Sequence, residues 1–216
     1  MIGRCSLALL VVCGTLASAA TAVAQIPYPG LCIVPSFIRV VGYSGTTPDA
    51  RGTFLIELRD IGNYPIPYSL VSIEFGNCTD MRLCKDFRDN VDCPTAVVSK
   101  LTDANGDATF TIVGGGRNSG ASPGPGPGCV TIRADNVPIG TATAVVFDEN
   151  GALGGNGVSL ADFVPLLRDW GTGIYFGRSD FNLSGPPMLT AADFVSWLRT
   201  WGDGSSRDGC IPAYCP

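Results

Sequence analysis

Two stretches of the chain place oxygen-bearing side chains at alternate positions ahead of an apolar, helix-like run. The first, DENGALGGNGVSLAD, opens with Asp148 and Asn150 and closes with Asp162. The second, DFNLSGPPMLTAAD, carries Asp180, Asn182 and Ser184 two apart, then Gly185, and closes with Asp193. Alternating side-chain oxygens, a glycine for a sharp bend and a closing carboxylate are what a loop needs to hold a hard divalent cation such as calcium. A metal-free reading accounts for part of the pattern. Ser159-x-x-Asp162 and Thr190-x-x-Asp193 both fit a capping box, in which the hydroxyl accepts from the backbone of the acid and the acid accepts in return. Capping explains the closing acids but not the Asp-x-Asn ahead of each.

Other chemistry has little to work with. The chain has no histidine, so Ser-His and Cys-His catalysis within it is impossible and no enzyme activity is expected. GGGRNSG (Gly114 to Gly120) lacks the lysine and following helix of a phosphate loop. LTDANGDATF places Asp103, Asn105 and Asp107 at cation-loop spacing, yet Asn105-Gly106 before a strand-like run is better read as a hairpin turn.

The elements that must position the two loops are themselves duplicated. ADFVPLLRDWG recurs as ADFVSWLRTWG, and an internal repeat signals a duplicated unit. Phe163, Leu166, Leu167 and Trp170 stand at i, i+3, i+4 and i+7, as do Phe194, Trp197, Leu198 and Trp201. Each copy is therefore expected to be a short helix with an aromatic-rich face buried against the other, ended by Gly171 or Gly202. Pro165 suits only a first turn, which places the first helix start near Ala161 or Asp162. Arg168 and Arg199 match each other and suit the negative end of a helix dipole.

Upstream, between about Ser36 and Phe147, β-branched runs alternate with turn residues. Seven strands are expected: Phe37–Val41, Thr53–Arg59, Ser69–Phe75, Ala96–Leu101, Ala108–Val113, Val130–Ala134 and Thr143–Phe147. Their number and punctuation point to a β-sandwich. Residues 1–24 read as a secretory signal with a small-residue A-x-A ending at Ala24. Seven cysteines follow it (Cys32, Cys78, Cys84, Cys93, Cys129, Cys210 and Cys215), and in an exported chain these read as disulfides with one thiol left over. The pairing is open from sequence. A net charge of −5 argues against nucleic acid as a partner, and no run of about 20 apolar residues supplies a membrane span.

RDIGNYPIPYSLVSIEF together with LTDANGDATF resembles the bacterial immunoglobulin-like domains of the invasin and intimin kind, which implies a spacer or adhesive sandwich. DENGALGGNGVSLADF and DFNLSGPPMLTAADF resemble dockerins, small modules of two tandem half EF-hands that close with aspartate. That resemblance implies calcium ligands at Asp148, Asn150 and Asp162 in one loop and at Asp180, Asn182, Ser184 and Asp193 in the other, with the second loop favoured because it keeps Ser184 and Gly185. Both loops are longer than the usual loop of about 12 residues and carry fewer carboxylates, so binding is expected near the weak range of roughly 10⁻⁴ to 10⁻³ M.

The resulting expectation is a mainly β protein. It comprises a signal peptide (1–24), a disulfide-bearing immunoglobulin-like sandwich (25–146), a small α-helical dockerin-like repeat pair (147–203) and a cysteine-containing tail (204–216). Its function would be non-catalytic attachment or assembly outside the cell, through an extracellular protein partner meeting the repeat helices. Two other readings stay open: a purely structural protein with a metal-free repeat, and an accessory component of carbohydrate binding or breakdown, for which Tyr43, Tyr64 and Tyr68 are candidate contacts.

Overall fold

The computed structural model describes residues 25–79, 81–85, 89–117, 128–148, 157–172, 179–181, 189–204, 208, 210 and 214–215. The chain is mainly β. In order, its strands are β1 (Phe37–Val40), β2 (Tyr43–Ser44), β3 (Thr47–Pro48), β4 (Thr53–Glu57), β5 (Leu70–Glu74), β6 (Met81–Leu83), β7 (Asn90–Asp92), β8 (Val97–Leu101), β9 (Asp107–Thr111), β10 (Gly114–Gly116), β11 (Val130–Ala134) and β12 (Val137–Val146). Two helices follow, α1 (Leu160–Thr172) and α2 (Ala191–Gly202).

One six-stranded sheet has the order β1-β12-β11-β5-β8-β7, antiparallel except where β1 runs parallel to β12. The antiparallel pair β4-β9 supplies a second layer. Alternation places Ile56 and Phe110 of that pair inward, where they join Val71, Ile73, Ile132 and Ala144 of the larger sheet in one buried core. The period of two thus delivers apolar side chains to a single interior, the main stabilising term for such a body.

Each of the seven expected strands is present with its ends shifted by a residue or two, except the last, which begins at Val137 rather than Thr143. The turn at Asn105-Gly106 differs from expectation. It does not close a hairpin, because β8 pairs with β5 and β7 while β9 pairs with β4. It carries the chain from one layer to the other. Asp103 Oδ1 accepts from the backbone N–H groups of Asn105 at 2.7 Å and Asp107 at 3.0 Å. Gly106 has φ +78°, and a Cβ there would meet the Leu58 carbonyl and the Ile66 nitrogen at 2.8 Å. A tight two-residue hairpin exists elsewhere: Asp135 and Asn136, at φ +46° and +68°, join β11 to β12.

The helices rest on the sheet. Val41 and Val145 from the β region share a core with Phe147, Val158, Leu166, Phe181 and Trp197. Arg51, in the 3-10 turn Ala50–Gly52, donates to Thr200 Oγ1 at 2.6 Å and to both carboxylate oxygens of Asp203 at 2.7 Å. The tail then turns back over the β region. Disulfides join Cys84 to Cys210 and Cys93 to Cys215, a third joins Cys78 to Cys129, and among the described residues Cys32 is the free thiol. No pair forms within the crowded Cys78-Cys84-Cys93 segment. Among the described residues, no helix is long and apolar enough to cross a membrane.

Candidate functional site

Phe147 and Phe181 stack with ring centroids 4.9 Å apart. Each adjoins the aspartate that opens a loop, Asp148 or Asp180. The stack therefore brings the starts of the two loops together.

The closing acids head the helices. Asp162 Oδ2 accepts from the Ser159 backbone N–H at 2.8 Å and from the Ser159 hydroxyl at 3.1 Å. Asp193 Oδ2 repeats this with Thr190 at 2.7 and 3.0 Å. In return Ser159 Oγ and Thr190 Oγ1 accept from Ala161 and Ala192, each at 3.3 Å. The capping box of the metal-free reading is complete at Thr190 and Asp193, and at Ser159 the acid accepts in return in the same way. These bonds use one oxygen of each aspartate.

In the first loop the opening and closing acids come together. Asp148 is 1 % exposed and Asp162 0 %. Asp148 Oδ2 accepts from the Gly157 N–H at 3.0 Å, while its Oδ1 is buried with no hydrogen-bond partner. A buried acceptor left unpaired carries a desolvation cost of roughly 1–3 kcal/mol. Burial, then the neighbouring charge of Asp162, pushes the Asp148 carboxyl up to about 7. Two carboxylates packed together out of water raise one another in this way.

Tyr214 completes this corner and was not singled out by sequence. It forms a bridge with Cys84 and stands between the disulfide cysteines Cys210 and Cys215. Its hydroxyl is buried beside Asp148 and the Cys210 backbone without a hydrogen bond of ordinary length and angle. Burial first, then the charge of Asp148, keeps its proton on above the usual tyrosine range. The only sequence signal was the flanking pair of cysteines, which does not say where the tail lands.

In the second loop Asp180 and Asp193 are both buried. Nearby, Asp169 Oδ2 accepts from the buried Ser179 hydroxyl at 2.8 Å, and burial raises the Asp169 carboxyl to about 6 against the opposing pull of Ser179 and Arg168. Asn150, Asn182 and Ser184 lie outside the described residues. Among the described residues, no group of three or more His, Cys, Asp or Glu is gathered as a metal site.

The helix faces depart from expectation. Leu166 and Trp197 are buried and Phe163 and Phe194 partly so, with Phe163 stacked between Phe194 at 5.6 Å and Trp197 at 5.3 Å. Leu167, Trp170, Leu198 and Trp201 are instead exposed, as are Leu160, Val164 and Val195. The inward side of the helices is shared with Val41 and Val145 of the β region and with Phe147 and Phe181. Gly171 and Gly202 lie inside the helices, and the left-handed residue after α2 is Gly204, at φ +72°. Pro165 falls in the second turn of α1, because the helix starts at Leu160, and the carbonyl it leaves unpaired belongs to exposed Ala161. Of the three tyrosines, Tyr43 is buried, whereas Tyr64 and Tyr68 are 65 % and 72 % exposed. No family model, curated protein or solved structure matches the chain.

Proposed function

We propose that the chain is a non-catalytic exported protein in which a calcium-binding, dockerin-like loop-helix pair is mounted on an immunoglobulin-like sandwich and serves attachment or assembly. The observation that carries this reading is the Asp148 and Asp162 pair. Two buried carboxylates meet at the first and last positions of an oxygen-rich loop, and one oxygen of Asp148 makes no hydrogen bond of ordinary length and angle although Tyr214 and Asp162 stand beside it. That arrangement is costly without a cation and favourable with one. The donor set is all oxygen, as a hard cation requires. Asp148, Asn150 and Asp162 would hold calcium in the first loop, and Asp180, Asn182, Ser184 and Asp193 in the second. When bound, calcium would neutralise the paired carboxylates. The first loop becomes the stronger candidate, in place of the second, because the unpartnered oxygen lies there.

The immunoglobulin-like assignment is supported by the way the N-terminal segment changes layers. Ile33 bridges Glu57 beside β4, and a few residues later β1 joins the other layer alongside β12. Export is supported by three disulfides, which persist in oxidising compartments. The exposed stripe Leu160, Val164, Leu167 with its counterpart Val195, Leu198 on α2 supports a protein partner at the helices.

The test is a calcium titration of the whole disulfide-bonded chain, read by tryptophan fluorescence, since Trp170, Trp197 and Trp201 all lie in α1 and α2. The isolated repeat is the wrong sample, because Val41 and Val145 are part of its core. A saturable response below about 10 mM, lost in Asp148→Ala, is expected. No response over that range, or an unchanged one in Asp148→Ala, would refute the reading.

A further inference from the structure

A second feature lies where α2 meets the β region, beside the Phe147 and Phe181 stack. A cleft of about 310 Å³ opens there, lined by Arg39 of β1, Arg51, and Ser196, Arg199 and Thr200 of α2, together with Asp203 and the two phenylalanines. The volume falls at the lower end of the roughly 300–1,000 Å³ typical of small-molecule sites. Three guanidinium groups share one cleft in a protein of net charge −5.

The local charges do not balance. Arg51 is fully engaged: Asp203 accepts two hydrogen bonds from it, Thr200 Oγ1 a third, and Asp49 stands 3.7 Å from its Nε. Asp203 is thereby consumed. Arg39 has no carboxylate partner among the described residues; its guanidinium lies 5.0 Å from the centre of the Phe37 ring. Among the described residues Arg199 has neither a carboxylate nor a ring partner. The duplication explains why. Its counterpart Arg168 is followed by Asp169, which it approaches at 3.6 Å, whereas Arg199 is followed by Thr200, whose hydroxyl goes to Arg51. Replacing the acid by a hydroxyl frees one arginine and ties down another. Burial, then the charge of Arg51, pulls the Arg39 guanidinium below its ordinary pKa, so a bound anion would relieve a strain already present.

We propose that this cleft binds a tetrahedral oxyanion, sulfate or phosphate, either free or as the monoester of a sugar-sized molecule, with Arg39 and Arg199 as its two donors and Arg51 as the fixed wall between sheet and helix. Guanidinium forks suit such oxygens because they donate two parallel hydrogen bonds to one group. The volume leaves room for the carrier beside the charged head. Because Arg39 comes from the sheet and Arg199 from the helix, the site exists only while α2 is docked.

The test is isothermal titration of the whole chain, at constant ionic strength, with sodium sulfate, sodium phosphate, glucose 6-sulfate, glucose 6-phosphate and glucose. Saturable binding of at least one anion is expected, with glucose silent, and the arms separate a free ion from a sugar ester. Arg199→Gln and Arg39→Gln should each weaken it by at least about tenfold, while Arg168→Gln leaves it unchanged. Arg199 is exposed on α2, so its variant is expected to fold even if Arg39→Gln does not. No saturable binding of any anion, equal binding of glucose, or undiminished affinity in Arg199→Gln would overturn the proposal.

Discussion

The two repeat helices match closely in burial and differ in what holds them. From Asp162 to Gly171 and from Asp193 to Gly202 the pattern of buried and exposed positions is the same, save that Pro165 is buried and Ser196 only partly so. Asp162 and Asp193 cap their helices alike, and Leu166 and Trp197 fill the same interior. Their attachments diverge at one position. Asp169 bonds Ser179 within the repeat, while Thr200 bonds Arg51 of the β region. The duplicated residues set packing, and the unduplicated pair Asp169 and Thr200 decides which copy is tied to Arg51 of the β region.

The largest effects should fall on the duplicated interior. Leu166→Ala should cost roughly 2–5 kcal/mol and Trp197→Ala roughly 3–5 kcal/mol in chemical denaturation. The outward matched changes, Leu167→Ala and Leu198→Ala, should stay within about 0.5 kcal/mol. Equal costs at inner and outer positions would break the equivalence.

An intermediate effect comes from pH and belongs to the first unit. With a chelator present, Asp148 at about 7 and Asp169 at about 6 hold their protons in the folded state after the unfolded chain has lost them. Stability should therefore be highest near pH 4, fall as pH rises through the folded values, and level off above them. The combined loss is on the order of a few kcal/mol. Melting scans should show Asp148→Asn flattening most of this slope. A stability rising over that interval would contradict the buried pair.

The smallest effects test the caps. Ser159→Ala and Thr190→Ala should each cost about 1 kcal/mol, equally, by thermal denaturation. A large inequality would mean that one capping box does more than cap.

Much of this was legible from periodicity. β-branched runs located the strands that carry the inward Ile56, Phe110 and Ile132, and the Asp-x-Asn spacing singled out Asp148 and Asp162, which the fold buries together. Pairing was not legible. Asn105-Gly106 has the composition of a hairpin turn, yet local chemistry fixes only the bend, and the layer each strand joins is decided by distant partners. Asp135-Asn136 makes the real two-residue hairpin with a less conspicuous sequence. The short strands β6, β7 and β10 show no period in three residues; Gly114 is there because a Cβ would strike the Arg82 carbonyl across the pair. Tyr214 reaches Asp148 only through disulfides closing separations of 126 and 122 residues, and spacing alone leaves such pairings open.

The most direct test of the central claim, that buried Asp148 is a calcium ligand, is the proton count on calcium binding, measured by calorimetry in buffers of different ionisation enthalpy. A carboxyl at about 7 must give up its proton to bind the cation. Close to one proton released per calcium is predicted at about pH 6, and close to none at about pH 8.5. Binding with no proton release at the lower pH, or no binding at either, would contradict the account.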